Sequence, residues 1–298
     1  MKFLIRLGYL PVFLIGGNGA AILLVQGGYS KLWLVALVGT FVALAFLLER
    51  MVPYDAAFNR PQNDTRRDVI HAFVNESMSV VGVLSVPLLA RLSPLPSVWP
   101  TSIPLWQQLL LAVFIADIGI TLVHFASHRF AALWRLHAVH HSVKRMYGFN
   151  GLMKHPLHQL LETVAGTTPL LLMGASQEVL MLLIVAVGLQ LLLQHSNVAY
   201  FTGPLKHVLV VNVVHRFHHL NSAKEGDVNF GLFTQFTDIL LSTTFFDPYR
   251  TIRLADLGIE GQPDYPVGYL RELAEPFRSY DQSGERSGGQ RVASGGLI

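Results

Sequence analysis

Cysteine is absent from this 298-residue chain. Without a thiol, the chain cannot form disulfides, a thiolate-ligated haem, an all-cysteine zinc site or a cysteine-held iron–sulfur cluster. Charged residues are also scarce, at 14% of the sequence against 51% hydrophobic residues, whereas an ordinary soluble domain has about a quarter charged residues. This composition excludes a disordered chain and disfavours a soluble globular enzyme. The net charge of +3 is too small to indicate nucleic-acid binding.

Long apolar stretches predict helices embedded in a membrane. A helix needs about 20 apolar residues to cross a bilayer, and six stretches approach that length: 8–27, 31–48, 77–92, 104–126, 160–174 and 179–195. The fifth is short and contains Glu162 and Pro169, so a re-entrant segment is the alternative there. The first follows Lys2 and Arg6 and has the alternative interpretation of a cleaved signal peptide. We therefore predict an all-α, polytopic integral membrane protein with four to six membrane-embedded helices.

The distribution of lysine and arginine predicts the orientation. Both are concentrated in the connections at 50–68 and 127–158, while the connections on the opposite side are nearly bare. Because basic loops mark the cytoplasmic side, these two connections and both termini are predicted to be cytoplasmic. The chain divides into an N-terminal transmembrane hairpin (1–50), a central region (51–250) and a C-terminal cytoplasmic segment (251–298). Its glycine- and serine-rich end, from about residue 279, is predicted to be a flexible tail.

Histidine is present in excess, with 13 residues beside 19 acidic ones. Eight of them form one HxxxH motif and two HxxHH motifs: His124 and His128; His137, His140 and His141; His215, His218 and His219. On a helix, side chains at i, i+3 and i+4 lie on one face, so each motif directs its imidazoles within one arc. Two such helices facing each other could direct six imidazoles at one point.

The three motifs together predict a metal centre at the membrane boundary. A packing histidine or a chance cluster on a solvated face explains one motif but not three, each at the edge of an apolar segment. Imidazoles buried together without partners are costly, and they repel one another when protonated; a metal ion removes both problems. Since zinc takes three or four protein ligands, eight histidines predict two ions. Imidazole suits iron, zinc, copper and nickel alike, so the residue types leave the metal open.

The order and spacing of the motifs carry a resemblance. DIGITLVHFASHRFAALWRLHAVHH, at 117–141, resembles the first two histidine boxes of the fatty acid hydroxylase superfamily, also called the sterol desaturase family, of membrane diiron oxygenases. KHPL at 154–157 is similar to its HPL element, and QHSN at 194–197 to its later single-histidine element. HRFHH at 215–219, followed by DVNFG at 227–231, is similar to its last box.

The resemblance covers about residues 112–246, inside a predicted catalytic domain at 51–250. It implies two iron ions that use O2 to hydroxylate, or desaturate, an unactivated C–H bond of a lipid such as a sterol or fatty acyl chain. No haem or flavin domain is recognised in the chain, so an external electron donor of the cytochrome b5 or ferredoxin type is implied. The implied metal ligands are nine histidines: His124, His128, His137, His140, His141, His195, His215, His218 and His219.

Four further residues are candidates for supporting or additional ligand positions. Asp117 lies two helical turns before His124 on the same face and could accept a hydrogen bond from a ligand imidazole, a contact that metal-bound histidines commonly make. His155 is a candidate ligand, with helix capping as the alternative. Asn229 and Asp238 are candidates for supports, with turn formation as the alternative. The remaining histidines have no patterned partner and are predicted to be ordinary: His71, His158 and His207.

Two rival functions use the same residues. A zinc-dependent membrane hydrolase would use part of the histidine set and would not consume O2. A metal transporter would place ligands and carboxylates near the middle of the bilayer, whereas the three motifs lie at the ends of the predicted spans or outside them. The lipid, the choice between hydroxylation and desaturation, and the oligomeric state stay open at this stage.

Overall fold

The computed structural model describes residues 1–92 and 96–278. The predicted tail from residue 279 lies outside the described residues. Within them the protein is all-helical with no named strand, which confirms the predicted fold class. The helices are α1 (Lys2–Pro11), α2 (Asn18–Gln26), α3 (Leu32–Met51), α4 (Thr65–Leu92), α5 (Leu105–Ser127), α6 (Ala131–His141), α7 (Pro156–Met173), α8 (Gln177–His195), α9 (Asn212–His218), α10 (Phe236–Leu241) and α11 (Tyr269–Ala274).

Four segments of the described chain are long and apolar enough to cross a membrane. They are Lys2–Gln26, in which a π-helical turn joins α1 to α2, and the helices α3, α5 and α8. The predicted stretches 77–92 and 160–174 fall on α4 and α7, which are not among the four. Charged and polar residues account for this, since α4 begins with Arg66, Arg67 and Asp68 and α7 contains Glu162. The protein is therefore a multi-pass membrane protein, and its orientation stays a prediction.

Helix α8 is the centre of the bundle. Its residues from Val179 to His195 are buried except for the half-buried Met181, Ile184 and Val187, and α2, α3, α4 and α5 pack around it. A helix that is apolar all round is stable only when other elements cover all of its faces. Its C-terminal end therefore carries His195 into the interior of the protein.

Helices α5 and α7 approach closely because each has a glycine at the contact. A Cβ on Gly119 would collide with the carbonyl oxygen of Ala165, and a Cβ on Gly166 would lie 3.0 Å from Cγ1 of Ile120. Small residues permit such close backbone approach between membrane helices. This packing holds the histidine-bearing end of α5 beside the first turns of α7.

A buried carboxylate at the end of α3 fixes the connections that follow α6 and α8. Glu49 accepts hydrogen bonds from the backbone N–H of Gly148, at 2.7 Å, and of Asn197, at 2.9 Å. From α9, Arg216 donates to the carbonyl oxygen of Ser196 at 2.9 Å. These bonds bring the end of α8 and the start of α9 to one end of the bundle, where the histidine motifs meet.

The C-terminal segment packs back onto the start of α4. Glu272 of α11 accepts a hydrogen bond from Arg67 at 2.9 Å, and its other carboxylate oxygen lies 2.8 Å from Nε2 of His71. Nδ1 of His71 lies 3.0 Å from the carbonyl oxygen of Lys154. All three side chains of the first two contacts are buried. His71, predicted to be ordinary, therefore links three segments of the chain.

Candidate metal centre

Five histidines converge at the C-terminal end of α5, and we call them the five-histidine group. His124 lies in the last turn of α5 and His128 caps it, so their i and i+4 spacing places them on one face. Each member offers a ring nitrogen, and these nitrogens all lie within 4.8 Å of one another: His124, His128, His137, His141 and His218.

Four more histidines form a second group, which we call the four-histidine group. His195 ends α8, and the other members come from α6 and from α9 with its capping residue. Their candidate ligand nitrogens also lie within 4.8 Å of one another, and all four residues are buried: His140, His195, His215 and His219.

Each HxxHH motif contributes to both groups. In α6 the i, i+4 pair His137 and His141 joins the five-histidine group, while His140 turns to the other group. At α9 the division is reversed, because His218 joins the five-histidine group alone. The expectation that six imidazoles meet at one point is therefore corrected: the two helices share their histidines between two adjacent points. The groups touch, since the rings of His141 and His219 stack with centroids 4.9 Å apart.

Hydrogen bonds at Nδ1 orient two histidines of each group. In the five-histidine group, His124 donates to the carbonyl oxygen of Phe230 at 2.7 Å, and His218 donates to that of Val228 at 2.9 Å. In a neutral imidazole that donates from Nδ1, Nε2 carries only a lone pair. The two Nε2 atoms nevertheless lie 2.8 Å apart. Two lone pairs repel each other at this distance, so the arrangement fits a cation between them.

The four-histidine group repeats this arrangement. His140 donates from Nδ1 to the carbonyl oxygen of Met153 at 2.9 Å, and His195 donates to that of Leu191 at 3.1 Å. Their Nε2 atoms then face each other at 3.3 Å with no proton between them. Metal-bound histidines commonly donate their other ring nitrogen to a carbonyl or carboxylate. The donor geometry of both groups therefore fits a metal ion.

Ring nitrogens without partners and lowered pKa values point the same way. Among the nine histidines, four buried ring nitrogens have no hydrogen-bond partner, although most buried polar atoms in proteins do: Nε2 of His128 and Nδ1 of His137, His215 and His219. Burial lowers the pKa of each histidine of α6 and α9, including His218 to about 4. These side chains are thus neutral at physiological pH, which is the form that binds metals.

Asp117 supports the centre indirectly. Its carboxylate accepts hydrogen bonds from the backbone N–H of Leu232, Phe233 and Thr234, at 3.1, 2.8 and 2.9 Å, and from the Thr234 hydroxyl at 2.6 Å. The prediction of a direct bond to a ligand imidazole is therefore wrong. Instead, Asp117 holds the loop just after Phe230, the residue whose carbonyl group orients His124.

Asn229 and Asp238 fix the same loop from its other side. Asp238 accepts hydrogen bonds from the backbone N–H of Phe230 and Gly231, each at 2.8 Å. Asn229, at φ +56°, donates to the carbonyl oxygen of Val214 at 3.0 Å and accepts from the N–H of Phe245 at 2.8 Å. These contacts give both residues the supporting, loop-fixing role predicted for them.

His155 lies outside both histidine groups. It is the N-cap residue of α7, where its Nδ1 accepts a hydrogen bond from the N–H of Leu157 at 3.1 Å. Its Nε2 lies 3.3 Å from the carbonyl oxygen of Leu273. Helix capping, the alternative given above, accounts for its position.

His158 is the residue near the centre that the motif analysis missed. It is fully buried, its ring centroid lies 4.5 Å from that of His137, and its Nε2 lies 2.9 Å from the hydroxyl of Ser127. Nδ1 lies 3.7 Å from Glu162, which also pairs with the buried Lys154. The i, i+4 spacing of His158 and Glu162 in a segment predicted to be apolar was the signal available in the sequence.

An apolar cavity of about 330 Å³ leads to the centre between α4, α5, α7 and α8. It is within the range of small-molecule sites. A smaller cavity, lined by histidines of both groups, shares five lining residues with it: Ile120, Lys154, Glu162, Leu191 and Leu232. The large cavity therefore borders the small histidine-lined one and offers room for an apolar molecule next to the centre.

A polar cleft of about 390 Å³ reaches the five-histidine group from another direction. His128, His141 and His218 line it together with exposed residues of the loop at 221–227. Arg129, at its rim, pairs with Asp227 and lies over the ring of Phe125 at 4.4 Å. The centre thus has two distinct approaches, one apolar and one polar.

Comparison with known proteins shows the family of this chain. Residues 109–243 match the family model described as fatty acid hydroxylase. The chain is 30% identical over 277 residues to a protein named ornithine lipid hydroxylase OlsE from Rhizobium tropici, and the alignment covers 90% of this chain and 82% of the relative. No solved structure matches the chain. The chain belongs to the fatty acid hydroxylase family.

Proposed function

We propose that this protein is an O2-dependent diiron enzyme that hydroxylates an unactivated C–H bond of a membrane lipid, with desaturation as the alternative outcome. The observation that carries the proposal is the position of the apolar cavity, which borders a small cavity lined by members of both histidine groups. Membership in the fatty acid hydroxylase family supports lipid hydroxylation in general.

Two iron ions held by the nine histidines would supply the O2 activation that hydroxylation of such a bond requires. The chain itself keeps the imidazoles neutral and oriented. The carbonyl groups of Phe230, Val228, Met153 and Leu191 each receive one Nδ1 proton, which leaves Nε2 free to coordinate. Asp117 and Asp238 hold the 230–234 loop that carries the first of these carbonyl groups.

The lipid would lie along the four helices that line the cavity. Ile120, Leu191 and Leu232 line the junction between the cavity and the histidines. These apolar side chains hold the target carbon beside the centre and exclude water from it, which limits side reactions. Because the relative's name specifies ornithine lipids, lipids of that class are the first substrates to test on this protein.

The polar cleft is the proposed approach for an external electron donor of the cytochrome b5 or ferredoxin type. It brings solvent to the five-histidine group without crossing the apolar cavity. The basic loops at this end favour an acidic partner, and long-range charge attraction speeds such encounters. We place this end, with both termini, on the cytoplasmic side because of the lysine and arginine in its loops.

The decisive test is lipid analysis of cells with and without the protein under ¹⁸O2. We expect a lipid product that gains one labelled oxygen; a product that loses two hydrogens without label indicates desaturation. His140→Ala and His218→Ala, one from each group, should abolish the product and lower the iron content. His207→Ala is the matched control, because His207 is exposed and lies outside both groups.

The rival functions give different results in the same test. A product that forms without O2 in zinc-loaded protein contradicts the proposal and favours a hydrolase. Metal uptake into vesicles without any lipid product favours a transporter. Full product formation in either histidine variant contradicts the assignment of the metal ligands.

A further inference from the structure

The apolar cavity contains one carboxylate that has no partner. Within residues 1–92 and 96–278, the side chain of Glu76 forms no hydrogen bond and no ion pair, although it lines the cavity and is half-buried. An ionised carboxylate in apolar surroundings is costly unless it is paired. Burial accordingly raises the pKa of Glu76 to about 7, and the charge of Lys154 opposes this shift. A cationic group on a molecule in the cavity would hold the carboxylate in its ionised form.

Glu76 lies at the end of the cavity nearest the histidines. The adjacent residue, Asn75, donates from its side chain to the carbonyl oxygen of Lys154 at 3.0 Å, and Lys154 lines both the apolar cavity and the histidine-lined one. From Glu76, the cavity-lining face of α4 continues through Ser79 to Ser85. Nine residues of helix span about 14 Å, so the charge lies at one end of an elongated cavity.

The cavity-lining residues of α7 and α8 also show which end of the cavity lies nearest the histidines. Leu191 lines the histidine end and precedes His195 by one turn, whereas Leu180 lines the cavity about 16 Å further away along α8. On α7, Glu162 lines the histidine end and Leu171 the distant end. The charged residues of the cavity are therefore gathered beside the metal centre, and the distant part is apolar.

The other charges at this end compensate each other. Lys154 pairs with Glu162, and both are buried. Three charged side chains line the cavity: Glu76, Lys154 and Glu162. Because Lys154 and Glu162 neutralise each other, an ionised Glu76 would add one negative charge, which is complementary to a single cationic group on the occupant.

We propose that Glu76 binds the ammonium group of an amine-bearing lipid, and that this contact places the polar end of the lipid, rather than the tip of an acyl chain, beside the histidines. The inference rests on the proposed lipid hydroxylation. It adds a substrate class, a lipid with a primary amine in its headgroup, and a position for the reaction, a C–H bond close to that amine. The acyl chains then extend along the apolar part of the cavity, away from the centre.

The test compares two synthetic lipids with identical acyl chains, one with a primary amine in its headgroup and one in which this amine is acetylated. Binding to the full-length, iron-loaded protein in lipid nanodiscs is measured without O2, so no turnover is needed. We expect the wild type to prefer the amine lipid. Because a hydrogen bond to a charged group is lost, Glu76→Gln should weaken binding of the amine lipid about 10- to 100-fold and leave the acetylated lipid unaffected.

Two variants control for the fold and for charge in general. Glu76→Asp retains the carboxylate and should retain the preference for the amine lipid. Glu260→Gln removes an exposed carboxylate elsewhere and should change neither affinity. Unchanged iron content in Glu76→Gln shows that the metal centre is intact. Equal affinity of the wild type for the two lipids overturns the inference whatever the variants do.

The position of the new oxygen gives an independent result. After turnover under ¹⁸O2, fragmentation of the product by mass spectrometry should place the label in the headgroup fragment. Label in the acyl fragment contradicts the inference while supporting lipid hydroxylation. No oxygenated product from any lipid contradicts the proposed function, and the binding comparison then still decides whether Glu76 recognises an amine.

Discussion

The two histidine groups differ in their surroundings. Three members of the five-histidine group line the polar cleft, and His128 is the one histidine among the nine that is not fully buried. The four-histidine group is enclosed, and three of its members line the small cavity that joins the apolar one. We infer that solvent and the electron donor approach through the first group. The second group is held by the rigid core around α8.

The largest expected effect separates an enclosed histidine from one at the cleft. His195→Ala should reduce product formation by more than about 100-fold, because it removes a proposed ligand at an enclosed position that the polar cleft does not reach. Loss of a residue that only contacts a metal ligand typically costs up to about 100-fold. His128→Ala should cost about ten times less, because His128 is the one half-buried member of its group and the adjoining cleft can supply a water ligand at its position. Product formation and iron content of both purified variants check this difference.

Equal losses in the two variants would show that exposure to the cleft does not matter. The comparison would be reversed if His128→Ala were the more damaging change. His207→Ala again serves as the control for removing a histidine outside the two groups.

A smaller effect is expected from Asp117→Asn, which acts on the five-histidine group only. The carboxylate accepts four hydrogen bonds from residues 232–234 and one from the Thr121 hydroxyl, and the amide places an NH2 group against some of those donors. Loss of charged hydrogen bonds should lower the free energy of unfolding by about 2–3 kcal/mol. Thermal denaturation measures this change, and product formation should fall as the Phe230 carbonyl loses its position.

The control for this change is Asp264→Asn, which alters an exposed carboxylate. An unchanged melting temperature for Asp117→Asn would contradict the role assigned to the carboxylate. Iron lost from both groups to the same degree would contradict its restriction to one of them.

His158→Gln should weaken iron binding about 10-fold, as is typical for partners just outside a metal's ligands. The imidazole packs against His137 and contacts Ser127, so its removal loosens one ligand position without deleting a ligand. Iron retention during titration with a chelator measures the change. Retention equal to that of the wild type would assign His158 a packing role alone.

The smallest effect is expected at the polar cleft. Lys224 is exposed at its rim, and Lys224→Gln should slow electron delivery only about two- to three-fold, with the difference vanishing at high salt. Lys31→Gln is the matched control and should have no effect, because Lys31 is the N-cap residue of α3 and does not line the polar cleft. Reduction kinetics with the natural donor check both variants. A salt-independent loss would argue against an electrostatic role.

Local patterns in the sequence predicted most of the centre. The spacing of His137, His140 and His141 fixes their directions once α6 forms, because helical geometry depends on neighbours within one turn. The same holds for His124 and for the motif in α9. Spacing thus predicted eight of the nine ligands, and the family resemblance supplied His195; their meeting and their division into two groups depend on how α5, α6, α8 and α9 pack.

Contacts between distant segments could not be predicted. Asp117 binds a loop more than 100 residues away in the sequence. Its spacing from His124 therefore led to the wrong prediction of a hydrogen bond to a ligand imidazole. His158 reaches His137 only because α7 packs closely on α5 through Gly119. The unpaired state of Glu76 likewise depends on which helix faces α4. Each of these positions is decided by tertiary packing rather than by periodicity.

The most direct test of the account is the metal content of the purified full-length protein, measured together with that of His195→Ala and His218→Ala. We expect two irons per wild-type chain and a loss in each variant, since each lacks a member of a different group. A single metal ion per chain in the wild type, or two irons retained in both variants, would contradict the assignment of the nine histidines to two metal sites.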